Sequence, residues 1–164
     1  MIKFNLNNEP CTYSGDSEKT LLNFLRLDKH ITSAKDGCSG QAVCGACTVE
    51  IDGKAKLACV IKMKTLEGTE VYTTEGFPEY VKDTIAKAFV NHGAVQCGFC
   101  SPGFVVRTKV LLQDNPNPSI EEIQKIQGGS ISGVKSRLQR GREKVLSLLN
   151  TKEQIRIAMM LLTF

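Results

Sequence analysis

The chain has no tryptophan and only two histidines, His30 and His92, among 164 residues. It also lacks a long hydrophobic run: the longest, residues 157–162, falls far short of the ~20 apolar residues that span a bilayer. No charged, apolar and small-residue leader opens it, so a cytoplasmic location is expected and no membrane span. There is no internal repeat, no Ser/His/Asp arrangement and no Gly-rich phosphate loop, which removes the common signatures of hydrolysis and phosphoryl transfer. No cysteine follows residue 100, although the chain has seven, at 11, 38, 44, 47, 59, 97 and 100. Inside a cell, thiols spaced that closely point to metal or redox chemistry rather than to disulfides.

Hydrophobic residues at 41% and charged residues at 23% are ordinary globular values. The net charge of +4 is unevenly spread. Residues 1–134 hold 14 Lys and Arg against 15 Asp and Glu, and residues 135–164 hold seven against two. The basic stretch is short and has no interleaved aromatics, so it reads as a solvated helix face and not as a nucleic-acid surface.

Ile2, Phe4 and Leu6 alternate with polar residues as in a half-buried strand, and residues 11–13 suit its hairpin partner across Asn7-Asn8. Residues 20–25 carry apolar side chains at helical spacing behind a polar start at Asp16-Ser17. Residues 48–51 and 55–60 read as strands joined by Asp52-Gly53, and residues 71–74 as a further β-prone run. The period then changes. Val81, Ile85, Ala88 and Phe89 form a helical stripe closed by Gly93. Ser101-Pro102, as N-cap and first helical residue, predicts a helix to about Gln113, which the Asn115-Pro116-Asn117-Pro118 segment stops. Ser119 and Glu122 form a capping box for the next helix, and residues 134–149 could supply a fourth. The expected class is α+β: a β-rich domain at 1–76, a helical domain at 77–150, and a tail at 151–164.

Cys38, Cys44, Cys47 and Cys59 are spaced C-x5-C-x2-C-x11-C, one residue longer at the first gap than the plant-type [2Fe–2S] pattern. Three thiolates from one loop reach a compact two-iron rhomb only if that loop wraps it, with the fourth arriving from another element. Gly37, Gly40 and Gly45 permit the close approach and positive φ such a wrap needs, and leave N–H groups to face the cluster sulfurs. A four-cysteine zinc site and buried structural thiols are the alternatives, but zinc favours paired C-x2-C knuckles and only Cys44 and Cys47 make one. Cys97 and Cys100 form a second C-x2-C at a helix start. By itself that pair also fits a thioredoxin-like redox site, or zinc with His92 as the nearby candidate, although His92 reads more simply as a solvated or capping side chain.

Taken together, Gly37-Cys38, Cys44-Gly45-Ala46-Cys47-Thr48-Val49, Asp52-Gly53, Cys59, Gln96-Cys97-Gly98-Phe99-Cys100, Pro102-Gly103 and Asn115-Pro116-Asn117-Pro118 resemble the small iron–sulfur subunit of the xanthine dehydrogenase family, the molybdenum hydroxylases. The resemblance covers residues 1 to about 131. It implies an N-terminal β-grasp, ferredoxin-like domain holding one [2Fe–2S] cluster on Cys38, Cys44, Cys47 and Cys59. It further implies a four-helix-bundle domain holding a second cluster on Cys97, Cys100 and a later C-x-C.

That C-x-C should follow Ile131, where the chain reads Ser132-Gly133-Val134. Two of the second cluster's thiolates are missing, and Cys11 is the one spare cysteine. Three explanations stand: loss of the cluster in a diverged relative, substitution by Ser132 or an outside group, or a frameshift. A Cys-Arg-Cys written TGC AGG TGT that loses its second base reads Ser-Gly-Val, and everything after it would be out of frame.

The resemblance implies electron relay. A large molybdopterin-binding subunit carries the substrate chemistry, and electrons pass through [2Fe–2S] clusters toward FAD on a third subunit. The chain would then be part of an oxidoreductase with no substrate site of its own. A stand-alone ferredoxin-like carrier, or a non-functional frameshifted subunit, is the alternative.

Overall fold

In the computed structural model, residues 1–119 and Glu122 are described. The expected fourth helix, the Ser132-Gly133-Val134 break and the tail at 151–164 lie outside the described residues.

Five strands form one mixed sheet: β1 (Ile2–Leu6), β2 (Glu9–Tyr13), β3 (Thr48–Ile51), β4 (Lys54–Leu57) and β5 (Glu70–Tyr72), in the order β2-β1-β5-β3-β4. β1 runs parallel to β5, and the other neighbours are antiparallel. Both hairpins form where the turn residues place them. Asn7 and Asn8 take φ of 54° and 69°, and Asp52 and Gly53 take 49° and 74°, the left-handed pairs that match strand twist. The alternation of β1 buries Phe4 and Leu6, which pack with Leu21, Leu22, Phe24, Leu25, Val49, Ile51 and Val71 in the main core. Phe24 meets Phe4 and Tyr13 edge-on, at ring separations of 5.9 and 5.2 Å.

Several boundaries differ from the sequence reading. The first helical segment is a short α1 (Leu21–Asn23) running into a π-helical turn at Phe24–Asp28. It is capped by Thr20, whose Oγ1 accepts the Asn23 amide at 3.2 Å, while Asp16 accepts the Glu18 amide in a turn of its own. β4 stops at Leu57 instead of 60: the Ala58 amide makes one last in-register bond to the Cys47 carbonyl at 3.1 Å, but Ala58 O turns to the Leu22 amide at 3.0 Å and the Val60 amide folds back to Leu57 O at 3.2 Å. β5 ends at Tyr72, and Thr74–Gly76 form a 3₁₀ turn.

α2 (Glu79–Asn91) buries Val81 and Ile85, and Gly93 follows it with φ of 62°. α3 (Ser101–Asp114) starts one residue earlier than expected. The Cys100 carbonyl already accepts the Phe104 amide at 3.2 Å, so Cys100 and not Ser101 holds the capping position. The capping box is formed reciprocally: the Glu122 amide donates to Ser119 Oγ at 3.2 Å, and Glu122 Oε2 accepts the Ser119 amide at 2.7 Å.

The chain packs as two units. One comprises Met1–Ala86 with Val95–Val110, so it contains the whole sheet and most of α3; the other begins with Lys87–Ala94 and resumes at Leu111. In the second, both His92 ring nitrogens are buried without a hydrogen-bond partner among the described residues, in place of the expected solvated or capping role.

In the first unit, one surface contact ties the approach to the cysteine loop. The Glu75 carboxylate accepts from Ser33 Oγ at 2.5 Å, from the Ser33 amide at 3.3 Å and from Thr73 Oγ1 at 2.5 Å. Burial pushes the Glu75 pKa up, but the hydrogen bonds donated by Ser33 and Thr73 prevail and hold it below the usual carboxylate value. A carboxylate with a depressed folded-state pKa stabilises the fold above its unfolded pKa of about 4.3, and that contribution is lost as the pH falls through the folded value. Glu75→Gln is therefore expected to cost about 0.5–1 kcal/mol near neutral pH. The gap from the parent in urea unfolding should close as the pH drops below the carboxylate range.

Candidate metal centre

The loop from Gly37 to Cys47 is irregular because its backbone turns repeatedly through left-handed conformations. Ser39, Gly40, Ala42 and Gly45 have φ of 51°, 78°, 59° and 72°. Gly37 serves differently from Gly40 and Gly45. Its φ is not left-handed, but a Cβ there would stand 3.1 Å from the Phe99 ring and 3.2 Å from Cys44 Sγ. The need is close approach.

The four thiols of the first group stand as two pairs. Cys38 and Cys44 are neighbours on the accessible side of the loop, and Cys47 and Cys59 are neighbours in the interior, at 2% and 7% exposure, with Cys44 near enough to act on Cys47 as well. The amides of Cys44 and Val43, then the Cys44 side chain, bring the Cys38 thiol down to about 7; Gln41 donates as well. Burial, then the neighbouring Cys59, pushes Cys47 up to about 11. The Ala46 amide donates to Cys44 Sγ at 3.5 Å. Among the described residues no three His, Cys, Asp or Glu side chains gather as they would around one metal ion. Two pairs in an amide-lined loop are the donor set of a two-iron rhomb, which takes two thiolates at each iron. The residues present fit a [2Fe–2S] cluster.

Cys59 joins this group from the end of β4. The Ala58 amide closes the β3–β4 ladder on Cys47 O, and the turn that follows leaves the next side chain beside Cys47. Cys97 and Cys100 are exposed at the start of α3, behind Gly98 with φ of 77°, and no third His, Cys, Asp or Glu joins them among the described residues.

α3 lies directly on the cysteine loop. A Cβ on Gly103 would meet Gly45 O at 2.5 Å, so the helix reaches the loop backbone only through a residue without a side chain. One turn on, Arg107 Nε–H donates to Thr48 Oγ1 at 3.2 Å, and Thr48 donates to Gly45 O at 2.6 Å. Two residues further, Lys109 Nζ reaches both oxygens of Glu50, at 2.8 and 2.6 Å, over the Phe77 ring at 5.0 Å. Val106 and Val110 pack on Phe77 along the same helix. Sequence reading did not single out Gly103 alone, Arg107, Thr48, Lys109 or Glu50. Their partners are some 59 residues away, and no local pattern marks them. Gly103→Ala is expected to destabilise the first unit by about 1–3 kcal/mol, because the clashing atom is backbone and cannot swing aside. A fall in the urea midpoint with unchanged slope would show it.

Two family models match the chain: a "[2Fe-2S] binding domain" over residues 73–133 and a "2Fe-2S iron-sulfur cluster binding domain" over residues 12–90. The nicotinate dehydrogenase small FeS subunit of Eubacterium barkeri is 38% identical over 131 residues, covering 79% of this chain and 83% of that protein. The nicotine 6-hydroxylase small subunit of Paenarthrobacter nicotinovorans is 35% identical over 130 residues, covering 79% and 78%. The aldehyde oxidoreductase of Megalodesulfovibrio gigas is 46% identical over 112 residues, 66% of this chain, and the match spans 12% of that much longer protein. Among solved structures, quinoline 2-oxidoreductase from Pseudomonas putida 86 superposes with a TM-score of 0.70 at 28% identity, covering 85% of this chain and 88% of the matched chain.

Proposed function

Because the chain belongs to the small [2Fe–2S] iron–sulfur subunit family of the molybdenum hydroxylases, we propose that it is a one-electron relay, with one complete [2Fe–2S] site on Cys38, Cys44, Cys47 and Cys59. The observation that carries this reading is the gathering of Cys38, Cys44 and Cys47, on a loop that directs amides at the sulfurs, with Cys59, which reaches Cys47 from the end of β4. Bound there, the cluster supplies a centre that takes up and gives back one electron. The chain's own residues do the rest. The loop amides stabilise negative charge on the sulfurs, the buried Cys47 and Cys59 exclude water from one side, and the accessible Cys38 and Cys44 leave the other side open to a partner.

In this proposal the strands form a β-grasp, ferredoxin-like domain, and the chain after about residue 76 is the four-helix domain. The mixed sheet and the change from strand to helix after Gly76 support that division. The partners are a molybdopterin-binding subunit and an FAD subunit, as the family resemblance implies; the relatives named as small subunits support the presence of larger partners. Cys97 and Cys100 are half of a second site whose other half is missing at Ser132 and Val134. The relay is then interrupted between molybdenum and the surviving cluster.

A reductive titration tests both parts. The protein as it stands should take up one electron per chain, and Ser132→Cys with Val134→Cys should raise this to two. No electron uptake by the unaltered protein contradicts the relay reading. Uptake that stays at one in the double variant contradicts the alignment of the second site.

A further inference from the structure

Arg107 stands where it can act on the first cluster without touching it. Its guanidinium lies beside Gly45, where a Cβ would be 3.5 Å from Nη2, 3.7 Å from Cζ and 3.9 Å from Nε. Gly45 directly follows Cys44 and lies two residues before Cys47. The position is fixed twice. Nε–H donates to Thr48 Oγ1, and that hydroxyl is itself tied to Gly45 O. Gly103, one helical turn before Arg107, holds α3 against the same carbonyl. The other cation on this stretch of α3, Lys109, is bonded to both oxygens of Glu50 on β3.

We propose that Arg107 is a tuning residue for the cluster at Cys38, Cys44, Cys47 and Cys59: its charge, pinned over the loop by Thr48, favours the reduced state and raises the reduction potential. The inference rests on the cluster assignment above. One-electron reduction adds one negative charge inside the loop, with the electron supplied by an external one-electron donor. A fixed cation at that range, in partly excluded solvent, interacts with the added charge more strongly than bulk water would allow. A guanidinium suits the role because its charge is spread over a rigid plane that one N–H can anchor, here to Thr48.

The test is a redox titration of the intact protein with dithionite, followed by EPR, alongside iron analysis. Arg107→Gln should change the oxidised-to-reduced ratio at a fixed potential about tenfold, a fall of ~59 mV for a one-electron couple. Arg107→Glu should fall further, Thr48→Val should fall less in the same direction, and Arg107→Lys should stay closest to the parent. Unmoved midpoints in Arg107→Gln and Arg107→Glu, with iron content and line shape intact, overturn the inference. So does an Arg107→Lys shift as large as that of Arg107→Gln, since geometry and not charge would then be responsible. Absence of any [2Fe–2S] signal in the unaltered protein defeats the cluster assignment instead, so the two failures are told apart.

Discussion

Replacing Lys109 by Met is expected to cost about 3–5 kcal/mol of folding stability, the usual range for removing one partner of a buried ion pair. β3 is buried along its whole length. Val49 and Ile51 belong to the core, while Thr48 and Glu50 accept side chains from α3. Side-chain exposure is 5% for Glu50 and 12% for Lys109, so water cannot take over the solvation of the carboxylate once the ammonium is gone. The Phe77 ring adds a cation–π contact at 5.0 Å, which a methionine also forfeits. A small domain has only about 5–15 kcal/mol in total, so this loss approaches unfolding. The double variant Glu50→Leu with Lys109→Met should recover most of the stability, because the penalty lies in the stranded charge and not in the missing contact. Urea unfolding of the three proteins decides it. A Lys109→Met variant within about 1 kcal/mol of the parent would mean that α3 does not seat on the sheet as described.

The second large effect is at Cys59. Cys59→Ala is expected to lower bound iron by more than about tenfold, since losing even a residue that merely supports a ligand costs about 10–100-fold. Cys59 is the ligand that arrives from outside the loop, and with Cys47 it forms the interior pair. Neither water nor a neighbouring side chain can replace it there. Cys38 and Cys44 are accessible, so serine or solvent can substitute in part, and Cys38→Ser should keep a measurable fraction of the iron. Cys97→Ala should leave the first cluster's absorption and EPR signal unchanged. Equal iron loss at Cys38, Cys59 and Cys97 would contradict the division into a complete and an incomplete set.

These two sites differ in how far the sequence reveals them. The cysteine spacing is a local pattern, and so are the Asn7-Asn8 and Asp52-Gly53 turns and the stripe of α2, which form where their residues indicate. The α3 register was misplaced by one residue because a serine before a proline is a strong local cue, yet the Cys100 carbonyl takes the first helical bond. β4 ends before the apolar run does for a tertiary reason: Ala58 O is taken by the Leu22 amide, and the Val60 amide closes a turn on Leu57 O. The contacts that seat α3 on the loop were not legible at all. Gly103 against Gly45, Arg107 with Thr48 and Lys109 with Glu50 each join residues nearly 60 positions apart, and each residue type has an ordinary surface role when read alone. The Ser33–Glu75 contact, 42 residues apart, was hidden for the same reason.

Iron per chain, measured together with low-temperature EPR of the anaerobically purified and dithionite-reduced protein, tests the central claim most directly. One complete site on Cys38, Cys44, Cys47 and Cys59 predicts about two irons per chain and a single [2Fe–2S] signal. About four irons with two distinct signals, or zinc in place of iron, would contradict it.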